Sequence, residues 1–507
     1  MIQLIRDKNR LPLFLEIVFL SIIFPVLLLG QITFERCYGG TDDDRGFSVC
    51  ETYDGNYTIA GYTESFGSGY SDVYLIKTNL TGDTLWTKTY GGIMKDYGYS
   101  VCETSDSGYI IAGYIGYIPL YSRNWYNVYL IKTTSEGDTL WTKNYGSTYH
   151  EYGYSICETN DEGFIIVGWS DVIGPGWACV YILKTDSLGE QMWTKYYGGD
   201  EWDFGNSICE TSEGGYIVAG QTNSFGAGGF DVYLLRIDSS GDTLWTKTYG
   251  GINDDIGYSI CKTSDEGYII TGYTSSFGAG WEDVYLVKID SVGDTVWTRT
   301  YGGTDYDRGY SVCETSDSGY IIGGWTRSFG EGSGDMYLIK TDAFGDTLWT
   351  RTFGSVNYDQ GLSVQETSDG GYIITGYTAS FGAGNYDVYL VKTDEFGNVG
   401  IKKERNSLPK IACAELFPAR PNPFREKTII SYELKTYGST LITLKIYDTV
   451  GRLVKTLVNK KQKTGSYSVI CNGKNERGRN VKSGIYFCNL RIENYKENIS
   501  KRIILIR

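Results

Sequence analysis

Two columns of recurring carboxylates and one cluster of aromatic residues are the parts of this 507-residue sequence whose chemistry invites a functional reading. An acid recurs two residues before a glycine at Asp44, Asp96, Glu151, Asp203, Asp255, Asp307 and Asp359. Gathered at one opening, such groups would suit Ca²⁺, a hard cation that takes oxygen ligands. The competing reading is a turn in which each oxygen caps nearby backbone N–H groups. A second aspartate recurs at Asp72, Asp231, Asp283, Asp335 and Asp387, with Asn127 and Cys179 in its place in two repeats. Paired acids for glycoside hydrolysis can be picked from so many, but nothing singles out one pair, so no catalytic residue is assigned and no enzyme is expected.

The aromatic cluster comes from departures. Five repeats carry a Ser-Phe-Gly loop, at Phe66, Phe225, Phe277, Phe329 and Phe381. Two do not: one has a longer loop over 115–126, and the other contains Pro175 and Trp177. Tyr117, Tyr121, Arg123, Trp125, Tyr149, the single histidine His150, Trp177 and Trp202 are therefore expected on one face, as a patch of flat rings beside polar groups. Such a patch suits a sugar face or a protein partner; the bland alternative is drift in two surface loops. With one histidine, His-built metal sites and Ser-His-Asp triads have almost nothing to work with.

These residues are carried by a repeat. Cys-Glu-Thr or its equivalent returns at Cys50, Cys102, Cys157, Cys209, Cys261, Cys313 and Gln365, in steps of 52 residues with a single 55. Each period holds four strand-like runs separated by tight turns, as in 258–263, 268–273, 284–289 and 296–301. The second and third runs are apolar on both faces, as buried strands are. The fourth alternates and repeats a cation at Lys88, Lys143, Lys195, Lys247, Arg299 and Arg351, which suits an exposed edge. Four antiparallel strands taken seven times predict an all-β fold, a seven-bladed β-propeller over 31–404. Phe34 and Arg36 stand where Trp86 and Lys88 do, so the N-terminal strand is expected to complete the seventh blade and close the ring.

Charge divides the chain. Residues 31–408 carry 23 Lys+Arg against 52 Asp+Glu, and residues 409–507 carry 20 against 7. An acidic body repels phosphate, so nucleic acid is not an expected partner. Arg6, Lys8 and Arg10 precede an apolar run from Ile17 to Leu29, the shape of a signal peptide over 1–30. Glu16 and Pro25 interrupt that stretch, so no stable membrane span is expected in the mature protein.

Pro409, Pro418, Pro421 and Pro423 mark a linker over 405–420. Strand-like runs after it predict a small β-sandwich over 421–507. Cys471 and Cys488 lie on two of those runs, where a disulfide would be allowed. The six repeat cysteines occupy one register and are expected to be small buried hydrophobes rather than bridges.

Two resemblances follow. Tyr-Gly-Gly-Thr-Asp-Tyr-Asp-Arg-Gly-Tyr-Ser (301–311), Ser-Asp-Ser-Gly-Tyr-Ile-Ile-Gly-Gly (316–324) and Asp-Met-Tyr-Leu-Ile-Lys-Thr-Asp (335–342) resemble the bacterial and archaeal propeller repeats typified by the SBBP family. Pro-Asn-Pro-Phe (421–424), Ile-Tyr-Asp-Thr-Val-Gly-Arg-Leu-Val (446–454), Gly-Ile-Tyr-Phe (484–487) and the final Lys-Arg-Ile-Ile-Leu-Ile look like a type A sorting domain of the type IX secretion system. That resemblance implies an Ig-like domain related to the C-terminal part of flagellar hook-capping proteins, with the type IX machinery as partner. It also implies delivery to the cell surface or the medium; a purely structural Ig module is the other reading. Together they predict an exported, non-catalytic binding or adhesion module with a glycan or protein ligand. The alternatives are an extracellular polysaccharide-acting enzyme and a structural surface-layer component.

Overall fold

The computed structural model describes residues 31–117, 125–146, 149–171, 176–400, 414–417, 419–434, 440–448, 452–492 and 497–506. The expected leader 1–30, Tyr121, Arg123, Pro175 and residues 405–413 of the expected linker lie outside them. Among the described residues there is no helix, and so none long and apolar enough to cross a membrane. The chain divides into two compact units between residues 401 and 402.

Each repeat folds as its pattern dictates. In the first, β2 (Asp44–Glu51), β3 (Tyr57–Thr63), β4 (Asp72–Thr78) and β5 (Thr84–Tyr90) form one antiparallel sheet in chain order. Five further sheets repeat that order, with first strands beginning at Asp96, Glu151, Asp203, Asp255 and Asp307. In the seventh, Asp359–Glu366, Tyr372–Thr378 and Asp387–Thr393 are joined by the N-terminal strand β1 (Phe34–Tyr38). Phe34 faces Lys392 there as Trp86 faces Lys77 in the first repeat, and Arg36 faces Leu390 as Lys88 faces Leu75. The N-terminal strand thus takes the place its sequence predicts.

The sheets are held by cores shared between successive repeats. Every residue of β3 and β4 is buried, whereas β5 alternates. Ile165, Val167, Val180 and Ile182 of the third repeat pack on Ile208, Val218, Tyr233 and Leu235 of the fourth. Each such aliphatic or aromatic side chain contributes on the order of 2 kcal/mol by leaving water. Val49, Tyr57 and Ile59 meet Ile373, Val388 and Leu390 in the same way. A serine on each first strand accepts a bond from the next repeat, as Ser48 Oγ does from Val101 N (3.2 Å), and Ser363 Oγ accepts one from Val49 N (3.2 Å).

Two cationic columns need correction or addition. The fourth-strand cations are not merely free edge guards: Lys88, Lys195 and Lys247 each reach a hairpin acid of the next repeat, at 2.8 Å to Asp138, 2.6 Å to Asp242 and 2.5 Å to Asp294. The next hairpin turn lies within reach of these long stems, which the strand pattern alone does not reveal. A second column, Lys77, Lys132, Lys184, Arg236, Lys288, Lys340 and Lys392, sits inside an apolar run and is at most 5% exposed. Its lysines satisfy their charge on the turn aspartates, for example Lys392 to Asp369 at 2.9 Å.

The tail unit has two sheets, one of three strands and one of four. The predicted runs are present, together with Leu453–Gln462, a strand the pattern missed because its basic surface residues break the alternation. The short strand Ala414–Leu416 falls in the expected linker but pairs with Thr428–Leu434, because Ala414 and Leu416 bury into the tail core. Cys471 and Cys488 lie on strands of the two sheets and are both buried free thiols in that core.

Candidate functional site

Each first strand carries a β-bulge after its constant glycine, where pairing shifts between Gly46 and Ser48 and at the six equivalent places. A bulge leaves one residue unpaired and re-aims its side chain. The glycine opposite is obligatory, since a Cβ on Gly61 would overlap the carbonyl oxygen of Arg45. The two residues flanking the bulge glycine are therefore free to vary while the backbone is not. Before it stand Arg45, Tyr97, Tyr152, Phe204, Ile256, Arg308 and Gln360; after it stand Phe47, Tyr99, Tyr154, Asn206, Tyr258, Tyr310 and Leu362.

In the first four repeats the aromatic members of these columns meet rings of the neighbouring strands in a continuous, partly exposed run. Tyr62 stacks on Tyr97 with centroids 4.0 Å apart and planes 7° from parallel, and Tyr97 stacks on Tyr114 at 4.9 Å. Tyr114 meets Tyr126 at 4.9 Å and Tyr152 at 5.1 Å, both edge-on. Tyr152 stacks on Trp169 at 4.7 Å, and Trp169 meets Phe204 edge-on at 5.3 Å. Trp202 stacks on Phe204 at 5.9 Å. Beneath lie Tyr99 and Tyr154, 5.0 Å apart, with Tyr154 Oη accepting from Trp169 Nε1 at 2.8 Å. Burial pushes the Tyr99, Tyr114 and Tyr152 hydroxyls above their ordinary range, so the surface is uncharged.

Five of the expected patch residues belong to this surface, Trp202 on Phe204 among them. Trp125 lies 6.3 Å from both Tyr149 and His150, and His150 lies 5.2 Å from Tyr126. Tyr117 pairs with Trp125 across the lengthened hairpin. The backbone N–H of His150 donates to Asp171 at 2.7 Å, and its Nδ1 is buried with no partner among the described residues. Trp177 is 68% exposed and joins no ring contact among the described residues. The rings at 62, 97, 114, 126, 152, 169 and 204 were missed. The signal for 97, 152 and 204 was present as the variable positions beside the bulge glycine, hidden by reading each repeat for what is constant.

Arg45, Arg308 and Gln360, in the column before the glycine, are polar. Arg45 lies over Tyr377 at 4.4 Å and Tyr386 at 4.3 Å, and over Tyr62 at the start of the aromatic run at 5.9 Å. Arg308 forms a two-pronged pair with Glu282, its Nη2 donating at 2.9 Å.

The first acid column serves its own loops. Asp44, Asp96, Glu151, Asp203, Asp255, Asp307 and Asp359 are all 0% exposed. Asp44 Oδ2 accepts from Gly40 N at 2.7 Å and Ser65 Oγ at 2.6 Å. Asp203, Asp255, Asp307 and Asp359 repeat both bonds, and Asp96 accepts from Gly92 N and Gly116 N. The bonds of Asp44, Asp96, Asp203, Asp255, Asp307 and Asp359 are those of the capping reading, in which loop donors hold the carboxylates. Among the described residues no three His, Cys, Asp or Glu side chains converge as a metal site.

Residues 419–506 match the model of the secretion system C-terminal sorting domain. The tail is a sorting domain. A chain that carries one is exported by type IX secretion, to the cell surface or the medium. The regulatory protein FlaEY of Caulobacter vibrioides is 22% identical over 299 residues, spanning 52% of this chain and 30% of its own length. This chain therefore covers less than a third of that relative. Among solved structures, PorZ, a surface component of the type IX secretion system of Porphyromonas gingivalis, aligns over 93% of this chain and 60% of its own, with 14% identity and a TM-score of 0.39. Sqt1 of Chaetomium thermophilum aligns over 78% of this chain and 97% of its own, with 10% identity and a TM-score of 0.39.

Proposed function

We propose that this exported protein is a non-catalytic binding module whose seven sheets are the blades of a closed β-propeller and whose tail is an Ig-like sorting sandwich. The closed ring is supported by the bond that Val49 N donates to Ser363 Oγ, which joins the seventh repeat to the first as every other pair is joined, and by the bond that Ser368 N donates to Glu51. The ligand surface is the aromatic one, and the ligand is an extracellular glycan. The observation that carries this reading is the group of half-buried rings Tyr97, Tyr126, Tyr152, Trp169 and Phe204 beside His150 and Asp171, since sugar faces stack on flat rings while their hydroxyls bond to polar neighbours. Non-catalytic action is supported by the repeated acids, whose oxygens are spent on loop N–H and hydroxyl donors.

A glycan-array assay on the full chain, with and without Ca²⁺, tests it. Binding is expected in both conditions and is expected to fall at least about tenfold in Trp125→Ala/Tyr149→Ala. Silence from the unaltered chain overturns the glycan reading.

A further inference from the structure

Away from the aromatic surface, a groove of about 670 Å³ lies between the hairpin turns of the first and second repeats. Two departures from the repeat meet across it. The first is Tyr53, at a position that is Ser105, Ser212, Ser264, Ser316 and Ser368 in five other repeats and Asn160 in the sixth. The second is Glu136, where the other turns carry Thr81, Leu188, Ser240, Val292, Phe344 and Phe396.

The exchange at 53 changes the electrostatics of its neighbour. At four junctions a serine clasps the glutamate of the next repeat with both its N–H and its hydroxyl. Ser105 binds Glu158 twice at 2.9 Å, Ser264 binds Glu314 at 2.7 and 2.9 Å, Ser316 binds Glu366 at 2.7 and 2.9 Å, and Ser368 binds Glu51 twice at 2.7 Å. Tyr53 keeps only the backbone half, N to Glu103 Oε2 at 2.6 Å. Glu103 Oε1 receives no hydrogen bond among the described residues. The Tyr53 ring, 81% exposed, stands at the groove instead of a hydroxyl.

The cation beside this groove is already taken. Lys77 Nζ bonds to Thr52 Oγ1 at 2.6 Å, Tyr109 Oη at 2.9 Å and Asp54 Oδ1 at 3.1 Å. Burial raises Glu103 above the usual carboxylate range, and Asp54 adds to the rise; the Tyr53 N–H and Lys77 oppose it. The groove thus offers an incompletely bonded carboxylate, the exposed acid Glu136, the Trp86 indole and a free-standing phenol. We propose that this groove binds a protonated amine carried on a flat hydroxylated frame, an amino sugar: the ammonium between Glu103 and Glu136, the ring face on Tyr53. A groove of this volume accommodates such a ligand.

Titration calorimetry of the full chain with a glucosamine hexamer, and with its fully N-acetylated counterpart, tests the assignment. The amine form is expected to bind, more weakly as salt rises, and the acetylated form at least about tenfold less well because it lacks the charge. Tyr53→Ser and Glu136→Ser, each the residue another repeat uses, are expected to weaken binding about tenfold or more while leaving the melting temperature unchanged. Phe344→Ser, at the position of Glu136 in the sixth repeat, is expected to leave it unaltered. Equal affinity for both sugars, undiminished binding by the two serine variants, equal loss in Phe344→Ser or no binding at millimolar hexamer would each overturn the proposal. Sugar binding that survives both serine variants and is lost in Trp125→Ala would place the sugar on the aromatic surface and overturn the groove assignment alone.

Discussion

Repeats one, four, five, six and seven differ from repeats two and three in one coordinated way. In the five, a Ser-Phe-Gly loop is tied down from both ends. Its serine hydroxyl donates to the first acid and its serine N–H to the strand-end threonine two residues earlier, as Ser328 Oγ does to Asp307 and Ser328 N to Thr326 Oγ1. Its far side donates an N–H to the second acid, as Glu331 N does to Asp335 at 2.7 Å. In repeats two and three the Ser-Phe-Gly sequence and the second acid are absent, with Asn127 and Cys179 at the latter position. Position by position, the threonine is Ile115 and Ser170. A clamp of this kind works only when every member is present, because half of it leaves buried donors without partners. The loss of its serine, threonine and second acid in two neighbouring repeats frees their loops to carry Tyr117 and Trp125.

The sharpest way to break this contrast is to remove a clamp. Asp307→Ala leaves Gly303 N, Ser328 Oγ and Thr326 Oγ1 without their acceptor in a site that is 0% exposed. A loss of about 3 kcal/mol is expected in denaturant unfolding. Ser328→Ala removes one bond and is expected to cost about 1 kcal/mol. Tyr117→Ala in the unclamped loop is expected to cost less than about 0.5 kcal/mol while weakening ligand binding. Equal costs at the three positions would mean that the clamp does not distinguish the two kinds of repeat.

How much of this was legible beforehand follows from what repeats. The seven-fold period, the four-strand unit, the fate of β1 and the tail were readable because each is specified by apolar spacing that no single substitution erases. The capping role of Asp44 and its equivalents was also readable, as one of two alternatives. What separated them, the Gly40 N–H and the Ser65 hydroxyl, arrives from a different loop and has no local sequence mark. Lys392 was hidden for the opposite reason: its neighbours read as an apolar strand, and its partner Asp369 lies 23 residues earlier. The aromatic surface was half legible. Trp125, Tyr149 and His150 stood out as departures, but Tyr97 and Tyr152 sit in a column that is simply variable, and only the bulge shows that this column shares a surface.

The clamp also predicts a pH signature confined to the five repeats that have it. The second acid of one repeat and the first acid of the next flank the same glycine: a Cβ on Gly91 would overlap both Asp72 and Asp96, and one on Gly354 both Asp335 and Asp359. Two buried carboxylates this close do not both ionise readily. Burial, with a further push from Asp96 and Asp359, raises Asp72 and Asp335 to about 6, while loop N–H bonds oppose the rise. A folded value above the unfolded one means that the stabilising contribution is complete below the ordinary carboxylate range. It is lost as pH rises through about 6. At the acid end, Asp54 and Asp106, lowered to about 2 by threonine, lysine and backbone donors against the effect of burial, contribute stability above the unfolded value that disappears as pH falls towards 2. The melting temperature is therefore expected to be highest in mildly acidic buffer. Asp72→Asn/Asp335→Asn should flatten its fall between pH 5 and 8 by on the order of 1 kcal/mol per pair. An unchanged pH profile in that variant would remove the paired acids from the account.

The smallest effect belongs to a feature that ignores the distinction altogether. The fourth-strand cations pair with the next hairpin in clamped and unclamped repeats alike, Lys143 with Glu190 at 2.6 Å in the second and Lys247 with Asp294 at 2.5 Å in the fourth. Both lysines are about a third exposed and both acids mostly so, which leaves water and salt to screen each pair. Lys143→Ala and Lys247→Ala are each expected to cost at most about 0.5 kcal/mol, by the same amount, and less again in high salt. A clearly larger cost at Lys143, measured by denaturant unfolding, would mean that the second repeat leans on its outer edge to make up for the clamp it lacks. Matching small costs would place the whole difference between the two kinds of repeat in the loop, where the aromatic side chains are.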